Sequence, residues 1–165
     1  MNQRYIDYAA YNIWANDLLT NALLQQEEEF LTRKLEGSFP NIRATLLHIW
    51  FAEMGWLSRL EGKGWEASAV DNFSGDAAAL CKDWQATSLA FKSFVETANL
   101  EKTVFFEHKG NDYHIPSREI SQTVFNHGTY HRGQVIMMMR QLSLTDVPKT
   151  DYIEWVRQQV EVGME

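Results

Sequence analysis

The chain has 165 residues, about what one hydrophobic core needs, so a single domain over 1–165 is expected. Hydrophobic residues make up 45% of it, with six Trp, nine Phe and six Tyr, which excludes a disordered chain. The formal charge is −7 and the 15 Lys and Arg residues are dispersed, so no basic stripe exists to neutralise a phosphate backbone and nucleic acid is excluded as a partner.

The opening MNQRYIDYAAYN has none of the basic-then-apolar pattern of an export signal, and a single cysteine, Cys81, cannot form an internal disulfide. A cytoplasmic protein is expected. From about Gln3 to Gln26, Tyr11, Trp14, Ala15, Leu18, Leu19, Ala22 and Leu23 recur at three- and four-residue steps, predicting an amphipathic helix. A charged stretch, Glu27 to Gly37, leads to a turn at Ser38, Phe39 and Pro40, and Asn41 is placed to cap a second helix running to about Glu61. That helix is apolar nearly all round (Leu46, Leu47, Ile49, Trp50, Phe51, Met54, Trp56, Leu57), which hints at a dimer face. Its most apolar stretch, Leu46 to Leu60, is interrupted by His48, Glu53 and Arg59 and falls short of the ~20 apolar residues of a bilayer span, so no membrane segment is expected.

Gly62 to Gly75 lacks periodicity and reads as a long loop. A third helix is predicted over about Asp76 to Ala98, with Leu80, Trp84, Thr87, Phe91, Phe94 and Ala98 on one stripe. Between Thr103 and Ile115 a β-prone run and a Gly110-Asn111 pair predict a hairpin stopped by Pro116. Ser117 is then expected to cap a helix reaching about Leu142, and a short helix follows Pro148, around Asp151 to Val160. Four long helices and one hairpin give an all-α fold, simplest as an antiparallel four-helix bundle, although the long loops also permit crossover connections.

The last long helix carries the chemistry. Ile120, Val124, His127, His131, Val135, Met138 and Leu142 share a stripe, with Arg118, Gln122, Thr129 and Arg140 on the opposite face, so two histidines stand where the pattern calls for apolar side chains. An i, i+4 pair sets two imidazoles ~5–6 Å apart at Cβ, within reach of one divalent ion. His48, mid-way along the second helix with Ala44, Phe51 and Ala52 on its face and the small residues Ala44 and Gly55 leaving space beside it, is the candidate third donor. His108 and His114 flank the hairpin turn and are read as exposed strand-end residues. Three neutral donors leave the charge of an ion uncompensated and a coordination position open, the pattern of a catalytic site, where bound water or a thiol is acidified into a nucleophile.

Cys81 lies one position off the third helix's stripe with no local histidine, and reads as a structural or surface thiol. Asn12 and Asn16, one turn apart, line a polar pocket or are ordinary surface amides. Glu53 is five residues from His48, faces away from it and receives no role.

Three blocks in order, YAAYNIWAN (Tyr8 to Asn16), FPNIRATLLHIWFAEMGWL (Phe39 to Leu57) and NHGTYHRGQV (Asn126 to Val135), resemble those of the DinB family of four-helix-bundle metalloproteins, with related YfiT-like metal-dependent hydrolases. The resemblance spans nearly the whole chain. It implies that His48, His127 and His131 match the family's metal triad, that the bundle closes by an up-down-down-up crossover, and that the chain forms a homodimer. It also implies a thiol-dependent transferase or hydrolase, some relatives using bacillithiol, mycothiol or glutathione. Imidazole donors suit Zn, Ni, Cu and Fe, with Zn preferred and Ni next. The rival expectations are a non-catalytic metal-binding or dimerisation bundle, and three buried histidines with no metal. Neither spacing nor resemblance names the small-molecule substrate.

Overall fold

A computed structural model describes residues 2–64 and 72–162. In chain order its elements are α1 (Gln3–Leu23), α2 (Glu28–Thr32), α3 (Ile42–Leu60), α4 (Ala77–Thr97), β1 (Thr103–His108), β2 (Asn111–Pro116), α5 (Ser117–Gln141) and α6 (Tyr152–Val162). The four long helices, the hairpin and the short last helix agree with the sequence reading to within a few residues. The expected loop from Gly62 to Gly75 falls partly on residues 65–71, outside the described residues.

Two helix starts follow from side-chain caps. Asn41 accepts a hydrogen bond from the Ala44 amide (2.8 Å) and Asp76 from the Ala79 amide (2.8 Å), each satisfying a donor that the first turn leaves free. The third start corrects the sequence reading: Pro116 is the N-cap of α5, and Ser117 is the first helical residue, its hydroxyl donating to the Lys102 carbonyl (2.8 Å) instead of capping. The charged stretch after α1 holds the unexpected helix α2. Glu28 within it accepts from Arg43 (3.0 Å) and from the Ala77 amide (2.9 Å), tying the start of α3 to the start of α4.

Side-chain pairings give the helix directions. Tyr8 stacks near Phe125 and both Asn12 and Asn16 meet Arg132, so α1 and α5 run parallel. Thr45 meets Met138 whereas His48 meets His127, so α3 runs against α5. Asn2 donates to the Val95 and Ala98 carbonyls, and Asn16 to Ser88, so α4 runs against α1. The order is up-down-down-up. The main packing pairs are α1 with α4 and α5, and α3 with α4 and α5, which puts α1 and α3 on one diagonal, bridged by the segment containing α2.

The interior is split. One apolar cluster gathers Leu19, Leu23, Ile42, Leu46, Ile49, Leu80, Trp84, Val135 and Met139 at the end where α1 finishes. The other gathers Ala9, Leu57, Leu60, Phe91, Val95, Ile120, Val124 and Phe125 at the opposite end. Burying one such Leu contributes roughly 2 kcal/mol, so these clusters supply most of the driving force. The stripe predicted for α4 proves wider on one flank: Cys81, Ser88 and Val95 are buried while Thr87 and Phe94 are half-buried. None of the large apolar residues of α3 is exposed; Trp56, for example, packs edge-on against Phe106 of the hairpin (5.4 Å).

The hairpin pairs His108 with Asn111, so its turn is Lys109-Gly110 and not the Gly110-Asn111 step read from sequence. Both turn residues have positive φ (51° and 78°), the conformation of a turn whose twist matches the strands. After α5, the chain returns along α1: Tyr11 donates to the Thr150 carbonyl (2.7 Å), Trp14 to Gln158 (2.9 Å), and Tyr152 stacks on Tyr8 at 4.9 Å. No helix among the described residues is long and apolar enough to cross a membrane.

Candidate metal centre

The polarity of the bundle sets His48 against the middle of α5. Antiparallel packing of α3 and α5 brings His48 opposite the turn that carries His127 and His131, and the three rings face one another. Their centroids are 4.8 Å (His48 to His127), 4.6 Å (His48 to His131) and 4.4 Å (His127 to His131) apart. One ring nitrogen from each lies within 4.8 Å of the other two, and among the described residues this is the one group of His, Cys, Asp or Glu donors close enough to share an ion. His131 is buried, and His48 and His127 are half-buried at the edge of the core.

Hydrogen bonding orients the set. His131 Nδ1 lies 2.7 Å from Gln134 Oε1, one turn along α5. An amide oxygen can only accept, so Nδ1 carries the proton and the Nε2 lone pair is left for the cluster. His48 Nε2 and His127 Nε2 are 2.9 Å apart, a contact that two protonated nitrogens cannot make. At least one of these two nitrogens therefore presents a lone pair. Burial, and then the neighbouring His131 and His48, push the His127 pKa down from 6.5 to about 4; burial and then His131 lower that of His48. Neutral imidazole is the form that binds a metal.

The cluster is walled by aromatic rings that sequence reasoning passed over. Phe39, in the segment between α2 and α3, sits 4.6 Å from His48 and 5.7 Å from His131, and the bond from the Leu35 amide to the Pro40 carbonyl (2.8 Å) closes that loop. Tyr130 packs edge-on to His131 at 4.9 Å with its ring mostly exposed. Gln134 was also passed over, though its spacing three residues after His131 was there to read.

The remaining candidates lie elsewhere. His108 ends β1 and His114 stands over Phe105, both exposed and outside the cluster. Cys81 is buried, so of its two readings the surface one fails; burial and then Glu28 push its thiol up to about 11. Asn12 and Asn16 are no surface amides: they are 3% and 1% exposed and belong to a polar layer with Glu53 and Arg132. Glu53 bonds to Asn12 and Trp84 and is not a partner of His48, in keeping with its expected direction. A groove of about 490 Å³ between α1, α5 and the segment before α6 is lined by Tyr8, Tyr11, Arg140, Lys149 and Tyr152 among others, and by none of the three histidines.

Comparisons with known proteins agree with this architecture. A crystal structure of a DinB-like protein from Bacillus subtilis superposes with a TM-score of 0.66, at 15% identity, covering 87% of this chain and 96% of that one. A DinB-like protein from Bacillus cereus ATCC 10987 gives 0.62 at 21% identity, covering 82% and 89%. In sequence, Protein DinB of Bacillus subtilis (strain 168) is 28% identical over 161 residues, 86% of this chain and 87% of the relative. A profile of the DinB family matches residues 1–161, and the chain therefore belongs to the DinB family.

Proposed function

We propose that the chain is a metal-dependent enzyme, a thiol-dependent transferase or a hydrolase, in which His48, His127 and His131 hold one divalent ion. The observation that carries this reading is the convergence of three imidazoles from two helices with no carboxylate among them. Such a donor set leaves the ion's charge uncompensated and a position open to a ligand. Two nitrogens sharing a tetrahedral zinc stand about 3.3 Å apart, so the 2.9 Å contact between His48 and His127 has to widen by a few tenths of an ångström, while the donor set as a whole, spread over up to 4.8 Å, has to draw in. Zn is the first choice and Ni the second for a site of imidazoles alone.

When bound, the ion would supply a Lewis acid that lowers the pKa of a coordinated thiol or water. The chain's own residues do the rest. Gln134 fixes the tautomer and tilt of His131, Phe39 covers His48 and His131 against bulk water, and Tyr130 offers an aromatic edge beside His131. An apolar wall of this kind suits a small electrophile with an uncharged body, attacked by a low-molecular-weight thiol or by water. The same reading takes the chain as a cytoplasmic homodimer acting on a small molecule, without nucleic-acid or membrane partners.

The test combines metal analysis with turnover. Purified protein should take up one equivalent of zinc or nickel, and His131→Ala should abolish both uptake and reaction with a panel of electrophiles offered with bacillithiol, mycothiol, glutathione or water alone. Stoichiometric binding with no turnover on any pair would favour a non-catalytic metal-binding bundle. The direct bond between His48 and His127 favours a second reading, a metal-free imidazole pair, and absence of uptake would select it.

A further inference from the structure

Between the two apolar clusters lies a layer of buried polar side chains contributed by all four long helices: Asn12 and Asn16 from α1, Glu53 from α3, Ser88 from α4 and Arg132 from α5, each no more than 3% exposed. We propose that the relay from Arg132 through Asn12 to Glu53 is a positioning device that sets the register of α3 against α5 and so brings His48 to the His127 and His131 pair. The proposal rests on the triad reading above.

The chemistry of the relay is directional. The Arg132 guanidinium donates to Asn12 Oδ1 (2.6 Å), and Asn12 Nδ2 donates to Glu53 Oε1 (3.2 Å). An amide can accept from a guanidinium and donate to a carboxyl oxygen at once, so Asn12 joins two buried ionisable side chains that make no direct contact with each other. The ends are pinned as well: Arg132 donates to Asn16 (2.8 Å) and Thr129 (3.0 Å) with its Cζ 5.4 Å from the Tyr11 ring centroid, and Glu53 Oε2 accepts from Trp84 (3.0 Å).

A buried layer of polar and ionisable side chains is a poor source of stability, since apolar residues of similar volume usually do as well or better. Register is what it can supply. Apolar contact is non-directional, whereas a slip of α3 by one residue, about 1.5 Å along its axis, breaks the bonds of Glu53 to Asn12 and Trp84 that tie α3 into the layer. That slip would displace His48 by the same amount, and a metal site tolerates about 0.2 Å. The relay ends are adjacent to the ligands: Arg132 follows His131, and Glu53 lies less than two turns beyond His48. Gly128, next to His127, leaves the space, because a Cβ there would come within 3.0 Å of the guanidinium and 3.1 Å of Asn12 Oδ1.

The test separates positioning from stability. Zinc affinity by chelator competition, and the visible spectrum of the cobalt(II)-loaded protein, are compared for wild type, the double variant Glu53→Leu/Arg132→Met, the milder Asn12→Asp and Glu53→Gln, and Leu60→Ala, a destabilising change in the far cluster. The relay variants that fold should lose about 10- to 100-fold in zinc affinity and shift the cobalt bands, the range seen when groups supporting a ligand are removed. Leu60→Ala should leave both unchanged despite a comparable loss of Tm. Relay variants that keep zinc affinity within twofold of wild type would overturn the proposal, as would Leu60→Ala losing as much affinity as they do. Wild-type protein that takes up neither ion would overturn the triad reading itself.

Discussion

His48 and His127 stand on helices that run in opposite directions, yet their Nε2 atoms lie 2.9 Å apart. One of the two must present a lone pair, so protonating both disrupts the pair. This couples the candidate site to the acid stability of the whole bundle.

In the metal-free protein His127 titrates near 4 when folded and near 6.5 when unfolded, and His48 is lowered in the same direction. The unfolded chain therefore binds more protons between those limits, and stability rises with pH across that window. Acidification from 6.5 towards 4 should lower the urea midpoint continuously. Each group contributes well under about 1.4 kcal/mol per pH unit, because the rings are only half-buried. In His127→Gln the fall should be shallower; an unchanged slope would mean that the folded state does not depress the His127 pKa.

Gln134→Leu removes the acceptor that holds the proton on His131 Nδ1. Fold and Tm should change little, since the residue is only partly buried, while zinc affinity drops about 10-fold or more. Chelator competition measures it, and Gln134→Glu, which keeps the acceptor, should restore binding.

At Gly128, alanine improves helix propensity by about 1 kcal/mol but presses a methyl group on the guanidinium and on Asn12. Arg132 is held by Asn12, Asn16 and Thr129 and has little room to yield, so overpacking of about 1–3 kcal/mol wins. Urea unfolding of Gly128→Ala should show a net loss; a net gain would mean that the layer relaxes freely.

The hairpin turn offers a gain. Lys109 holds φ 51°, a left-handed conformation that costs a lysine about 1 kcal/mol and suits asparagine better. Lys109→Asn should slow hydrogen exchange of the hairpin amides, and Gly110→Ala, at φ 78°, should hasten it.

Cys81 is 1% exposed with its thiol pushed up to about 11, so a thiol reagent at neutral pH should label it only as fast as the protein opens. Labelling of the native protein at the rate of a free thiol would show that the start of α4 frays.

Much of this was legible in the residues. The steps from Ile120 to Met138 placed His127 and His131 on the face that the structure buries or half-buries, and Asn41 marked the cap of the second long helix. What escaped was tertiary. Arg132 follows a histidine in a helix otherwise judged by apolar steps, and a lone arginine reads as surface until Asn12, Asn16 and Gly128 are seen around it. Ser88 and Cys81 fell outside the stripe because α4 packs against both α1 and α3, which buries a wider arc than one stripe describes. The turn at Lys109 was read one residue late because Gly-Asn is a commoner turn pair than Lys-Gly, and register here is fixed by the pairing of Val104 with Ile115 and their neighbours.

The up-down-down-up order also governs how the chain can assemble. Since α1 packs mainly on α4 and α5, it meets these partners during synthesis only after more than fifty further residues have been made. Until then its Leu19 and Leu23 have only the α2 and α3 part of their cluster for cover, and closure must gather segments distant in sequence, which slows folding relative to a bundle of successive hairpins. The pairing that completes the histidine cluster, α3 with α5, is among the last to become available, so a nascent chain cannot capture an ion on all three rings before the bundle is nearly whole.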